Sequence, residues 1–469
     1  MEVKKGLIEQ VHECAELGYL IDPSSGKEVG KVKVTRAELA EGIGIFGSGY
    51  DFGAMVLAEE ASLMGFKVLV IDPFGRFWPL LNADSKSRLY LLSDHILNPL
   101  KPESQDVEAY IDLLCEALSY SFGTNLQTIS DLKGVMLDTL GRTDGELTLM
   151  DLAGLFEAQS EINSQLTAYG VLQPLLTGKS AAPFKGKQTI EMEDALSGIS
   201  VLELSSIQSR NFKILAYCLV IAKLLDYARQ VKKRILLIID AAEIFWPDLS
   251  IQRLDSRSAF FYLHVFQMLR QSGIYVCLCS KSPLWIEKRV LSSFGTFVHF
   301  RASNPYAAMA ASNLMGRKVD ADAFISIGTS FAYVLRPRNK RPELCRFLRP
   351  RWILEKVDKD DIATRNSQLG IRPSSQKLQA KCKIADDFAE NAESVYNILD
   401  KVRASGGFPF QEYEETEPEF KRLVNKLLRL QYLKITNSEM NGSRLSVLAL
   451  TDKGVRALKE YEKMKGGEK

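Results

Sequence analysis

Residues 43–77 constrain the fold of this chain more than any other stretch. An apolar strand, Ile43–Phe46, runs into Gly47-Ser48-Gly49, a helical pattern follows, and a second apolar strand, Lys67–Asp72, ends in an acid. A strand, a glycine-rich turn and a helix N-terminus together form a phosphate-binding loop, because backbone N–H groups and the helix dipole both favour an anion there. The stretch therefore predicts an α/β unit built around such a loop.

The loop lacks the side chains that nucleotide hydrolysis requires. In a working loop the next two residues are Lys, which reaches the β- and γ-phosphates, and Ser or Thr, whose hydroxyl binds Mg²⁺. Here they are Tyr50 and Asp51. Losing a cation about 4 Å from a phosphate forfeits about 4 kcal/mol at an effective dielectric constant of about 20, and Asp51 adds repulsion. We therefore expect Tyr50 and Asp51 to disfavour ATP and Mg²⁺, which makes the set Gly47, Ser48, Gly49, Tyr50 and Asp51 a degenerate nucleotide site.

Apolar runs alternate with helical patterns from about residue 40 to 350, which is typical of a mostly parallel sheet covered by helices on both faces. Between about 105 and 180 the pattern is almost entirely helical and predicts a helical insertion. The predicted strands are 43–46, 67–71, 188–191, 200–204, 234–239, 274–279, 296–300 and 331–335.

The chain is expected to contain four regions. Residues 1–35 are a lead-in with a possible edge strand at 31–34, and 36–355 form the α/β core. Residues 356–385 are polar and read as a linker. Residues 386–469 show two helical segments, a two-stranded hairpin and a last helix, the arrangement of a small winged-helix domain.

Composition excludes several classes of protein. The net charge of +2 over 469 residues gives no global basic field toward nucleic acid or anionic lipid, although a local patch is still compatible with DNA binding. No apolar run reaches the length of about 20 residues that a membrane span needs. The N-terminus lacks the apolar core of a signal peptide, so we expect a cytoplasmic protein. Seven scattered cysteines and four histidines show no metal-ligand spacing, and we expect no metal site.

A second motif follows the glycine loop by about 190 residues, where an apolar strand ends at Asp240. In ATPases with a phosphate-binding loop, such an acid holds Mg²⁺, usually through water. The residue after it is usually Glu in DNA-translocating members, where it activates the attacking water. Here that residue is Ala241, and the nearest alternative base is Glu243.

The order of these segments resembles the HerA/FtsK superfamily of DNA-pumping ATPases, which includes the conjugative type IV secretion ATPases. In that superfamily a glycine loop is followed by D-P-x-G-E-[YF], a v-x-D-L-S segment, D-E-A-H-x-[FY]-x-P, a strand ending in Thr-Gln, and a strand that runs into Arg. The resemblance covers roughly residues 30–350. The matching segments here are Gly47-Ser48-Gly49, 72–77 (DPFGRF), 202–205 (LELS), 240–247 (DAAEIFWP), Cys279-Ser280-Lys281 and Phe300-Arg301.

The resemblance implies a RecA-like core that normally assembles into rings, with itself or with an active paralogue. It places Asp240 and Arg301 at catalytic positions and Lys281 where the superfamily has the sensor Gln. Glu243 stands at the His of D-E-A-H, two residues beyond the usual catalytic Glu, and is a candidate for a relocated catalytic base. Arg76 stands where the superfamily has Glu. Because the loop lost a cation while Arg76 and Lys281 arrived on strand ends that should face it, we predict that Asp51 forms an ion pair with one of them.

The predicted winged-helix region has a candidate DNA surface. Its second helix carries Lys421, Arg422, Lys426 and Arg429, and Arg444 lies at the hairpin. Such a helix would enter the major groove while its bases contact phosphates. Five glutamates between 412 and 419 precede the helix and would repel phosphate, so contact with another protein is an equal alternative.

Three functions are compatible with the sequence. The first is a catalytically degenerate ATPase-fold subunit, structural or regulatory, of a DNA-processing or DNA-translocation assembly. The second is a DNA-binding regulator in which the winged helix acts and the core is non-catalytic. The third is an unorthodox, DNA-stimulated NTPase that uses Glu243 and Lys281.

Overall fold

The chain divides into two compact units, Met1–Pro373 and Ser374–Lys469. Each is described here by itself, from a computed structural model. The residues that the structure describes are 12–124, 126–142, 146–158, 172–173, 175–248, 261, 264–339, 341–351, 356–374, 388, 392–404, 408–409, 418–440 and 443–466.

The first unit is built on one eleven-stranded sheet with the order β2-β1-β11-β10-β9-β3-β8-β7-β4-β6-β5. Its strands are Cys14–Ile21 (β1), Glu28–Thr35 (β2), Ile43–Phe46 (β3), Lys67–Asp72 (β4), Arg88–Leu91 (β5), Ile199–Glu203 (β6), Ile235–Ile239 (β7), Ile274–Ser280 (β8), Thr296–His299 (β9), Phe331–Leu335 (β10) and Glu343–Phe347 (β11).

The strands from β9 to β5 in this order are parallel, and β10, β11, β1 and β2 add antiparallel strands beyond β9. β3 lies between β8 and β9, and all four of its residues are buried. Because parallel strands end at the same edge of a sheet, the segments after β3, β4, β7, β8 and β9 meet there. That edge positions the candidate site.

Helices cover both faces of the sheet, with one apolar core on each side. The helices of this unit are Arg36–Ala40 (α1), Tyr50–Leu63 (α2), Val107–Phe122 (α3), Leu126–Arg142 (α4), Leu149–Ala158 (α5), Met192–Ala195 (α6), Arg210–Ala228 (α7), Val265–Gln271 (α8), Lys288–Leu291 (α9), Pro305–Leu314 (α10), Ala321–Ser326 (α11) and Lys359–Gln368 (α12), with 3₁₀ turns at Trp78–Asn82 (η1), Lys179–Phe184 (η2) and Pro283–Trp285 (η3).

The helices α3, α4 and α5 lie where the sequence predicted a helical insertion, and residues 159–171 of that predicted insertion lie outside the described residues. α3 packs on α7. A buried ion pair fixes the loop before α3, since Lys223 Nζ lies 3.2 Å from Glu103 Oε1. The Asp226 carboxylate accepts hydrogen bonds from Glu103 N, Ser104 N and Ser104 Oγ at 2.6–2.8 Å.

Several sequence predictions for this unit need correction. The lead-in contains β1 and β2, which extend the main sheet, and β2 is an edge strand where 31–34 was predicted to be one. Residues 188–191 do not form a strand. The Gln188 side chain binds backbone groups there that a strand partner would otherwise bind. Its Oε1 accepts from Asn98 N at 2.6 Å, and its Nε2 donates to Ile190 O.

The stretch predicted as a polar linker contains α12. A capping box at Asp358 starts this helix, with the Asp358 side chain accepting from the backbone of Asp361 and the Asp361 side chain accepting in return. Asn366 Nδ2 donates to Leu89 O at 2.8 Å and thereby fixes α12 on β5. A polar helix therefore packs on the core where the composition had indicated an open linker.

The second unit has its own apolar core. Its described helices and hairpin follow the order that the sequence predicted, and the short strand at Phe408–Pro409 is an addition. Assignment of this unit as a winged helix stays a prediction. Its elements are Ala392–Ala404 (α13), Phe408–Pro409 (β12), Pro418–Arg429 (α14), Leu433–Met440 (β13), Ser443–Leu450 (β14) and Asp452–Gly466 (α15).

In the described parts of both units, none of the helices combines the length and the apolar character needed to span a membrane.

Candidate functional site

The glycine loop is held in one conformation by its neighbour β9. Gly47 and Gly49 have φ values of 93° and 95°, which side chains other than glycine rarely adopt. A Cβ on Gly47 would lie 2.6 Å from the carbonyl oxygen of Phe300. Ser48 N donates to Arg301 O at 2.7 Å. The loop therefore has the shape that its sequence predicted, and the backbone of Arg301 forms one of its walls.

Tyr50 fills the position that a phosphate-binding lysine would occupy. It is the first residue of α2, only 3% exposed, with Gly49 as the helix N-cap. The Tyr50 hydroxyl accepts a hydrogen bond from Arg76 Nη1, and the Arg76 guanidinium carbon lies 5.6 Å from the ring centroid. Burial raises the pKa of Tyr50 well above its usual range, and the nearby charge of Asp240 adds to this. A neutral phenol thus closes the space between the loop and the end of β7.

Asp240, at the end of β7, is fully buried and incompletely satisfied. Its Oδ1 accepts from Ala241 N at 2.8 Å, whereas Oδ2 has no hydrogen-bond partner of ordinary geometry in the described structure. Burial raises the pKa of Asp240 to about 8, and repulsion from Asp72 contributes. The Tyr50 hydroxyl and Arg76 oppose that rise. The acid retained from the ATPase pattern is therefore largely protonated at neutral pH.

Asp72 has a structural role in shaping the turn 72–77. Its Oδ1 accepts from Phe74 N and Gly75 N at 3.1 and 2.8 Å, and its Oδ2 accepts from Phe77 N at 2.8 Å. This bonding aims Arg76 back toward Tyr50. The Phe74 ring is half-exposed, with the cations of Arg76 and Lys213 each 4.9 Å from its centroid.

The predicted ion pair of Asp51 is wrong. In the described structure neither Arg76 nor Lys281 lies within 4.0 Å of the Asp51 carboxylate, whose Oδ1 instead accepts from Phe52 N at 3.1 Å. Successive residues of a helix point about 100° apart, so Tyr50 faces the site while Asp51 turns away. Arg76 is engaged by Tyr50, and Lys281 is exposed.

The other predicted site residues lie in different surroundings. Ala241 sits at φ 48°, an unfavourable backbone conformation for a residue with a Cβ. Glu243 is largely buried, its Oε2 has no partner in the described structure, and burial raises its pKa, opposed by the charges of Arg76 and Lys281. The Arg301 side chain is exposed, and the contact that the structure records at the loop is made by its backbone.

The structure thus brings together Gly47, Ser48, Tyr50, Arg76 and Asp240. Sequence reasoning noticed Arg76 but did not identify Tyr50 as its partner. The signal was present, because the lysine of the loop and the glutamate of the D-P-x-G-E segment are both replaced, by Tyr50 and Arg76. It missed Tyr217, whose hydroxyl donates to Asp240 O at 2.6 Å.

These residues do not fit Mg²⁺-ATP. The ring of Tyr50, only 3% exposed, stands at the sequence position of the lysine that would bind the phosphates, so the loop has no cation there. No group of three or more acidic, histidine or cysteine side chains in the described residues is arranged to hold a metal ion.

The predicted DNA-binding residues of the second unit are distributed along α14 and β14. Lys426 Nζ lies 5.0 Å from the ring centroid of Phe388, so its cation packs against an aromatic face. Arg422 and Arg429 are exposed and Lys421 is half-buried. Arg444 pairs with Glu439 in the hairpin register, and its side chain lies outside the described residues.

Comparison with known proteins finds similarity at the level of the fold. No family model matches the sequence, and no curated protein is significantly similar. The solved structure of VirB4 of Thermoanaerobacter pseudethanolicus superposes with a TM-score of 0.56 at 14% identity, covering 72% of this chain and 98% of that one. The plasmid coupling protein TrwB, in complex with a non-hydrolysable ATP analogue, gives 0.51 at 14% identity, covering 73% and 95%. The chain therefore has the mostly parallel α/β, RecA-like fold of these two structures, as the sequence predicted.

Proposed function

We propose that this chain is a non-hydrolysing protein of the ATPase fold, and that it serves as a structural or regulatory subunit of a DNA-processing or DNA-translocation assembly. The observation that carries the proposal is the contact between Tyr50 and Arg76 beside the buried Asp240. This contact supports the proposal, because a working ATPase needs room for the phosphates and Mg²⁺ of its nucleotide between the glycine loop and the acid.

The contact also explains how the fold persists without a nucleotide. A nucleotide normally joins the loop after β3 to the acid after β7 through its phosphates and metal ion. Here Tyr50 spans that gap with its ring, and Arg76 supplies a cation near Asp240. We infer that the site is held permanently in one state and does not cycle.

The DNA part of the proposal draws on the plasmid coupling protein TrwB, whose solved structure has a similar fold. We propose that the core contributes shape to an assembly whose energy comes from another subunit.

A calorimetric titration of the full chain with Mg²⁺-ATP tests the closed site. We expect no binding up to about 1 mM, a weakness that corresponds to less than about 4 kcal/mol of binding free energy. The double substitution Tyr50→Lys with Asp51→Thr should regain binding, because it restores the cation and the hydroxyl. Tyr50→Phe is the matched control, since it keeps the ring that fills the site and should not bind.

Micromolar binding to the unaltered chain would overturn the proposal, because the loop would then cradle phosphate despite Tyr50. Turnover stimulated by DNA and abolished by Asp240→Ala would instead support the unorthodox NTPase that uses Glu243 and Lys281.

A DNA-binding regulator is the second candidate, favoured by one feature of α14. Arg422, Asn425 and Arg429 are exposed at positions i, i+3 and i+7, which places them on one side of the helix. Such a row can follow a DNA backbone. Affinity of the full chain for duplex DNA that falls with salt, and falls further in Arg422→Ala with Arg429→Ala, would support this function. An unchanged affinity in that variant would argue against it.

A further inference from the structure

The two edges of the eleven-stranded sheet are protected differently. At one edge β5 is four residues long and fully buried, and α12 packs on it, with Asn366 Nδ2 donating to Leu89 O. At the other edge β2 is eight residues long, and its first four residues are exposed. β1 is the only described strand that pairs with β2. Such an edge presents backbone N–H and C=O groups to which another strand can be added.

The side chains of β2 alternate between two chemically different faces. Val32 and Val34 are buried, and they belong to the apolar core that also contains the buried side chains of α2. Lys31 and Lys33 lie on the opposite face and are exposed. A strand beside β2 would meet the same two faces, because cross-strand neighbours lie on the same side of a sheet. It therefore needs apolar side chains on one face and partners for lysine on the other.

The net charge of this edge is positive. Residues 26–36 contain four bases and one acid. Lys31 Nζ lies 2.9 Å from Glu16 Oε1, whereas no acid among the described residues lies within salt-bridge distance of Lys27 or Lys33. A second β2 strand would bring its own lysines beside these and would be repelled. The charge of the edge therefore favours a strand that carries carboxylates.

We propose that β2 is a docking edge for an extended acidic segment of a partner protein, which is added to the sheet as a further strand. The main chain of that segment pairs with β2, its carboxylates lie beside Lys31 and Lys33, and its apolar side chains lie beside Val32 and Val34. In this mode of recognition main-chain pairing supplies affinity and the alternation of side chains supplies specificity. The docking edge does not involve the glycine loop, so this proposal and the Mg²⁺-ATP titration fail independently.

Fluorescence anisotropy of labelled peptides with the full chain tests the alternation. The probe is an eight-residue peptide, the length of β2, in which glutamate and valine alternate. Its control has the same composition, with the glutamates first and the valines after them. We expect the alternating peptide to bind at least about tenfold more tightly, because it alone matches both faces. Its affinity should fall severalfold between ionic strengths of about 0.05 and 0.5 M. Equal affinity of the two peptides would overturn the proposal.

Two N-methylated forms of the alternating peptide test the main-chain pairing. Alternate residues of a strand direct their N–H groups to opposite sides, so a strand added at an edge donates through every second residue. One form is N-methylated on its glutamates and the other on its valines. We expect one form to lose binding and the other to keep it. Equal effects of the two modifications would overturn the proposal, because they would mean that attraction between side chains acts without strand pairing.

Reversing the charge of the edge tests the role of the lysines. Lys31→Glu with Lys33→Glu should weaken binding of the acidic peptide at least about tenfold and create binding of a peptide in which lysine and valine alternate. The gained binding also shows that the variant is folded. Lys179→Glu with Lys187→Glu is the matched control, because it makes the same charge change at exposed residues in and after η2 and should leave both affinities unaltered.

Two results with these proteins would overturn the proposal. The first is a reversed variant that does not exchange its preference between the acidic and the basic peptide. The second is self-association of the unaltered chain, measured by sedimentation velocity, that the alternating acidic peptide displaces. The occupant of the edge would then be a second copy of this chain.

Discussion

Two buried polar clusters of the first unit, one around Lys223 and one around Asp240, show different outcomes of burying charge. In the Lys223 cluster each charged group has a partner. Glu103 Oε1 lies 3.2 Å from the Lys223 ammonium, and the Asp226 carboxylate accepts three hydrogen bonds. In the Asp240 cluster one carboxylate oxygen has no partner in the described structure, and the acid is largely neutral. Burial of charge is therefore compensated by partners in the first cluster and reduced by protonation in the second.

The largest expected effect is a pH dependence at Asp240. Its pKa rises from 3.8 to about 8 on folding. Below pH 4 both states are protonated; between about pH 4 and 8 only the unfolded state loses its proton, so folding stability falls as pH rises, by up to about 1.4 kcal/mol per unit. Asp240→Asn removes this loss. The unfolding free energies of the variant and the unaltered chain are measured in denaturant at pH 5 and pH 8. The difference between them should shift in favour of the variant at pH 8. A difference that is the same at both pH values would contradict the raised pKa of Asp240.

Removing the Lys223 ammonium should lower the unfolding free energy by nearly as much. Lys223→Met leaves Glu103 buried without its partner, and we expect a loss of about 3–5 kcal/mol in unfolding free energy. Lys233→Met is the matched control, because its partner Glu193 is 69% exposed and water can take over the contact, so the loss should be about 1 kcal/mol. Equal losses in the two variants would mean that the Lys223 cluster is not distinctive.

Loss of the Tyr50 hydroxyl tests how much its hydrogen bond with Arg76 stabilises the Asp240 cluster. Tyr50→Phe leaves the Arg76 guanidinium without its acceptor, and we expect a loss of about 1–3 kcal/mol. The loss is measured by equilibrium unfolding at pH 7. Tyr275→Phe is the control, because it removes the hydroxyl of a half-buried tyrosine on β8. A neutral effect of Tyr50→Phe would show that Arg76 is held by Phe74 alone.

The smallest expected effect is a gain at Ala241. Its left-handed φ of 48° is costly with a Cβ, and Ala241→Gly should stabilise the fold by about 1 kcal/mol. Ala242→Gly next to it should destabilise by a similar amount, since Ala242 has no positive φ to relieve. Melting temperatures of the two variants that move in the same direction would contradict the strain at Ala241.

Sequence reasoning predicted the elements whose patterns are local. β3, β4 and β7 are largely apolar runs, and all three were expected and found as buried strands. β5 and β11 were missed because they are only four and five residues long and contain charged residues, so neither forms a recognisable apolar run. β1 was missed because it is stabilised by pairing with β11, which is distant in the sequence.

The site was predicted in composition but not in contacts. Opposite charges suggested that Asp51 would attract Arg76, yet the direction in which α2 begins decides which of its first two residues faces the site. A formal charge can be read from a sequence, while the rotation of a helix about its axis is set by packing.

The pairing of β1 with β11 has a consequence for the order in which the chain folds. Gly18 lies opposite Phe347, so the first strand of the unit cannot complete its pairing until the last strand has been synthesised. During that interval the β1–β2 hairpin presents an unpaired edge, which invites contact with other chains. Closing such a distant pair late also makes folding slow relative to a core of local contacts. In a nascent chain the exposed edge of β1 is therefore covered only after β11, the last strand of the first unit, has been made.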